Sequence, residues 1–187
     1  MQTEPLEVSA RPAPSAIVEG YGGGEEVPLG GYALLASTYA GLVAAGLSRI
    51  GPRLPRRYAL GDLLLLGIAT HKLARTLVKA KVTSPLRAPF VHYEGTAGYG
   101  ELKECSRGHG LRRAIGDLLT CPWCASAWVA APLLFGFVVR PRTTRAIAAL
   151  ATAATVSDFL NYVQAAVKES PAIRTECLLR PRRCLVK

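Results

Sequence analysis

The stretch "LLTCPWCASAWVAAPLLFGFVV", Leu118–Val139, decides how the rest of the chain is read. It holds 22 residues and no charge. A helix of that length rises about 33 Å, enough to cross a hydrocarbon core of about 30 Å. A Cys-x-x-Cys pair, Cys121 and Cys124, stands at its mouth.

Two more apolar blocks lie on either side. "GYALLASTYAGLVAAGLS" has no charge and stops just before Arg49, which marks a span of about 30–48. Within it Ala36, Ala40 and Ala44 recur every fourth residue, with Ser37, Gly41 and Ala45 beside them. Small residues so spaced let two helices approach closely in lipid, so this face could pair with a second copy or a protein partner. "AIAALATAATVSDFLNYVQAAV", Ala146–Val167, is the third span and carries one acid, Asp158.

Residues 59–78, "ALGDLLLLGIATHKLARTLV", read two ways. The first half is apolar apart from Asp62. The second half carries His71, Lys72 and Arg75, and Lys72, Arg75 and Lys79 fall on one helical face. The segment is either a span whose basic end snorkels to the headgroups or an amphipathic helix in the interface.

Half of the 187 residues are apolar, yet the formal net charge is +10. Apolar and basic residues are segregated into blocks and loops, the pattern of a multi-pass membrane protein. Nucleic-acid binding would need a basic face with interleaved aromatics, and none is visible outside the apolar blocks. Residues 1–29 are rich in Pro, Gly and Glu and predict a disordered tail. Residues 168–187 form a basic C-terminal tail.

Loop charge bears on orientation. With four spans, fourteen Lys/Arg fall on one side and seven on the other. With three spans the division is nineteen to four. Both counts put the long 79–118 loop and the mouth of the CPWC helix in the cytoplasm. The glycines at 95, 98 and 100 predict an irregular loop middle, and Leu111 starts a helix that runs on into the CPWC span.

The chemistry of the pair at 121 and 124 is open at this stage. At a helix start it could be a thiol–disulfide centre, since the helix N-terminus favours thiolate. Cys105, His109, Cys121 and Cys124 could together supply a zinc ligand set. Otherwise both cysteines are small packing residues, with Trp123 and Trp128 as interfacial aromatics, and no cofactor is needed. Asp158, with Asn161 nearby, marks either an ion path or an internal pair with a base such as Arg75 or Arg112. Lys72, Arg75, Lys79, Lys81, Arg87, Arg112 and Arg113 form a basic cytoplasmic face able to hold anionic lipid or a partner. No Ser-His-Asp set, phosphate loop or carboxylate pair can be assembled.

"HKLARTLVKAKVTSPLRAPF" followed by "RGHGLRRAIGDLLTCPWCASAW" resembles the bacterial family designated domain of unknown function 1360. The likeness covers about Leu60–Val167. It rests on Lys72, Arg75, Lys81, Arg87-x-Pro89-Phe90, Gly108-x-Gly110-Leu111-Arg112 and Cys121-x-x-Cys124-x-x-x-Trp128. Where that pattern often has an acid before the loop lysine, this chain has Ala80. The resemblance implies a small membrane protein, in a family with a sporulation-linked member and no assigned activity. The expectation is an all-α membrane bundle of three or four helices over 30–167, non-enzymatic, with the thiol–disulfide oxidoreductase as the alternative.

Overall fold

The computed structural model describes Tyr21 and residues 26–179, with side chains through Lys168. The elements run α1 (Leu29–Ile50), α2 (Leu60–Lys79), α3 (Ser84–Arg87), β1 (Val91–Gly98), β2 (Glu101–Ser106), α4 (Gly110–Thr120), α5 (Pro122–Val139) and α6 (Pro141–Leu179). The fold is mostly helical, with a small antiparallel hairpin. The expected tails at 1–29 and 168–187 lie largely outside the described residues, although α6 continues past Val167 to Leu179.

Four long helices stand side by side. α1 and α5 run in parallel: Tyr39 meets Trp128 at 5.3 Å between ring centroids, and Gly46 lies against the Phe135 ring. α2 and α6 run the other way. Along them Asp62 pairs with Arg145, Thr152 reaches the Leu65 carbonyl, and Lys72 pairs with Asp158. The core between α2, α5 and α6 is built mainly from small residues: Ala69, Ala148 and Ala151 around Leu66 and Phe137, then Ala74, Val78 and Ala125. Small side chains let these helices approach closely.

The outside of the bundle is apolar. Three helices are long and apolar enough to cross a membrane: Leu29–Arg53, Pro122–Val139 and Pro141–Lys168. Only 6% of the α1 window and 11% of each of the other two is buried; most of α1 and α6 faces outward, while most of α5 is half-buried. α2 falls outside that group because of its basic half, but it does not lie across the ends of the others. It is a full-length member of the bundle, and Leu60, Leu63, Leu64 and Ile68 point outward from it.

Two expectations are corrected here. The chain is not all-α: residues 91–106 form a hairpin, with Val91 opposite Ser106, Tyr93 opposite Glu104 and Gly98 opposite Glu101. Gly100 turns it with φ +76, a conformation that side chains with a Cβ rarely adopt. The glycines read as irregularity are thus its turn and its two bulges. Nor does one helix run from Leu111 to Val139. It breaks at Cys121, which is extended at φ −104 and ψ 105, because Pro122 disfavours helix in the residue before it. α4 is therefore a separate helix. Its Gly116 lies so close to the hairpin that an added Cβ would stand 2.6 Å from the Phe90 carbonyl oxygen.

Together α3, the hairpin and α4 make a cap over one end of the bundle. Asp117 of α4 ties it to α1, accepting from Tyr32 and from Ser106 of β2, each at 2.5 Å.

Candidate functional site

The end of α2 leaves carbonyls without helical partners, as every helix end does. Here the chain itself fills them. Thr83 Oγ1 stands within hydrogen-bond distance of the Thr76, Leu77 and Ala80 carbonyls and can give its one proton to one of them, and Arg87 Nη1 donates to Leu77 and Ala80. Arg87 is fully buried, and its Nε pairs with Glu104 of β2 at 2.7 Å. Arg112 donates through Nε and Nη2 to the Pro89 carbonyl, closing the segment from the other side.

These ties aim the hairpin tip. Lys81 N–H donates to the Gly100 carbonyl, and Ala80 bridges Glu101. Glu101 is thereby laid against Arg75, whose Nε and Nη2 donate to its two carboxylate oxygens at 2.6 and 2.9 Å. One helical turn deeper, Lys72 donates to Asp158 of α6. Between α2, α6 and the hairpin tip lies a half-open groove of about 730 Å³. Both ion pairs line it, with His71, Asn161, Tyr162 and Phe159.

The structure therefore divides the expected basic face. Arg87 does not belong to it, being buried under the cap, where a surface ligand cannot meet it. Lys72 and Arg75 face the groove with acids beside them, and Arg112 is occupied by a backbone carbonyl. Lys79, Lys81 and Arg113 have no ion pair among the described residues; Lys81 is exposed, and Lys79 and Arg113 are half-buried. Asp158 is indeed paired, but with Lys72 rather than Arg75 or Arg112. The acids that complete the site, Glu101 and Glu104, and the junction residue Asp117 were missed in the sequence. No spacing rule ties them to partners 17 to 85 residues away.

Cys121 and Cys124 are adjacent free thiols. Cys121 caps α5, and its Sγ accepts from the Cys124 N–H at 3.3 Å. Burial acts to raise the Cys121 thiol. Its contacts with Cys124, the Cys124 and Trp123 backbone amides and the charge of Lys79 outweigh that, and its pKa falls below the usual thiol range. Cys105 moves the other way, raised by its hydrogen bond to Glu94 and by burial. The zinc set is not assembled: among the described residues no three His, Cys, Asp or Glu side chains converge. Cys105 faces Glu94, and His109 lies 3.6 Å from Glu26. Cys121 and Cys124 stand at the start of α5, whereas Cys105 is held in the second strand of the hairpin.

Residues 65–164 match the family described as protein of unknown function (DUF1360). The chain belongs to this family. The matched region starts in α2, takes in the whole cap and ends in α6, so the Arg87 knot and both ion pairs of the groove lie within it. The sporulation protein YjcA of Bacillus subtilis (strain 168) is 36% identical over 87 residues, covering 44% of this chain and 73% of that protein. No solved structure matches. Most of the residues that carry the DUF1360 resemblance build the cap: Arg87, Pro89, Arg112 and Cys121 each satisfy a backbone group or an ion pair there.

Proposed function

We propose that the protein is an integral membrane protein in which all four long helices cross the bacterial inner membrane. The cap sits at the cytoplasmic face, and the protein acts without catalysing a reaction, through cap cations held on anionic lipid headgroups. One observation carries the membrane part. Among the described side chains of the four long helices both acids are paired within the chain, Asp62 with Arg145 and Asp158 with Lys72, while many large apolar side chains are exposed. Ionisable groups within a bilayer pair with one another and face the bundle. α2 has 20 residues and so is about 30 Å long. Since it runs antiparallel to α5 along that length, it crosses wherever α5 crosses.

The lipid part is supported by Lys79, Lys81, Arg107 and Arg113, cap cations without an ion pair among the described residues. Each cation near an anionic surface contributes about 1 kcal/mol. The test is amide exchange of residues 80–113 in nanodiscs. Phosphatidylglycerol should slow exchange relative to neutral lipid, and salt should reverse the effect. Equal exchange in both lipids would contradict the lipid contact and leave a protein partner as the occupant of that face.

A further inference from the structure

We propose that the groove between α2, α6 and the hairpin tip is a binding site for one zwitterionic phospholipid, with a phosphate and a primary ammonium in its headgroup. The inference rests on the membrane reading above and goes beyond it, because this site differs in kind from the exposed cap surface.

Charge balance selects the ligand. The groove presents two cations, Lys72 and Arg75, and two carboxylates, Asp158 and Glu101. A net anion would bring an uncompensated charge into this balanced set. A zwitterion would not: its phosphate would accept from cations while its ammonium would donate to a carboxylate. The groups have capacity left for this. Arg75 spends Nε and Nη2 on Glu101, which leaves Nη1, and Lys72 carries three N–H donors of which Asp158 takes one. Neither pair is sealed: the Arg75 and Asp158 side chains are 46% and 50% exposed.

Depth and the apolar wall point to a lipid. Lys72 lies seven residues before the end of α2, about 10 Å below the cap and within the length of α2 that crosses the membrane, so the groove opens at a depth that lipid occupies. Phe159 lines the groove and is 66% exposed. Val156 and Val163, three residues before it and four after, continue the same outward face of α6. An acyl chain leaving the groove would pass directly onto that face.

Native mass spectrometry of the full-length protein, released from nanodiscs containing equal phosphatidylethanolamine, phosphatidylcholine and phosphatidylglycerol, tests this without any variant. One phosphatidylethanolamine should be retained about tenfold over either competitor, the loss expected for one charge-assisted hydrogen bond. The choline lipid has no N–H to donate, and the glycerol lipid has no cation. Glu101→Gln should remove the preference and Arg75→Gln should lower retention of all three lipids, whereas Lys81→Gln should change neither. Equal retention of the three lipids, or preference for phosphatidylglycerol, overturns the site alone. Failure of the protein to enter nanodiscs overturns the membrane reading with it.

Discussion

Arg87 and Glu104 form a buried ion pair at 2.7 Å that joins the turn after α2 to the second strand of the hairpin. The same guanidinium donates to the Leu77 and Ala80 carbonyls and to Thr83 Oγ1, so one side chain closes a helix end and anchors a strand. Removing one member of a buried pair typically costs about 3–5 kcal/mol, because the other charge is left unpaired. Arg87→Ala should therefore loosen the cap, and limited proteolysis should cut residues 80–110 while the bundle survives. A cap as resistant as that of the native chain would show that the pair is not what holds it.

Lys72 and Asp158 should behave as a unit. Asp158→Leu should lower the amount of folded protein in membranes, and Lys72→Leu in the same chain should restore part of it, since replacing both partners can be nearly neutral. Arg112→Leu should give no such rescue, because Arg112 is bound to the Pro89 carbonyl. Normal accumulation of Asp158→Leu alone would separate the two residues.

Gly116 sets the contact between α4 and the hairpin. Gly116→Ala would press a methyl on the Phe90 carbonyl oxygen, and backbone yields poorly, so it should cost about 1–3 kcal/mol. Gly41→Ala is the control, since nothing lies within 4 Å of that position. It should be neutral or slightly stabilising by helix propensity. Thermal unfolding in detergent compares the two, and equal midpoints would contradict the close approach.

The thiols separate by pH. A lowered pKa keeps Cys121 as thiolate to lower pH, so its alkylation should rise at lower pH than that of an ordinary thiol. Cys105, raised by Glu94 and burial, should rise later. Peptide-resolved mass spectrometry after brief alkylation reads both, and coincident profiles would contradict the difference. In growing cells Cys121 and Cys124 should both be reduced. Cys121→Ala with Cys124→Ala should leave abundance almost unchanged, because Cys124 is exposed and Cys121 makes only one long cap contact through its sulfur. A mixed disulfide trapped at Cys121 in Cys124→Ala would instead favour the oxidoreductase alternative.

The bundle was legible in the sequence because three of its helices are long, almost uncharged runs, and these stand out whatever they pack against. The cap was not. Its hairpin has no clean alternation, since bulges near Glu94 and Ala97 break the period of two. Its stability comes from Arg87, Asp117 and Glu104, whose partners are distant in the chain. A basic loop reads as a solvated face by composition alone, and only the fold shows that Arg87 is inside. α2 misled for a related reason: Lys72 and Arg75 look like an interfacial stripe until Asp158 and Glu101 are placed beside them.

The crossing of α2 is the centre of this account, and side-specific labelling tests it most directly. Arg56→Cys, Tyr99→Cys and Arg142→Cys would be introduced singly in a cysteine-free chain and treated with a membrane-impermeant maleimide. With four crossings, positions 56 and 142 should label in intact cells with the outer membrane opened, and position 99 only after lysis. Labelling of position 56 only after lysis, on the same side as position 99, would show that α2 does not cross and would contradict the four-helix membrane bundle.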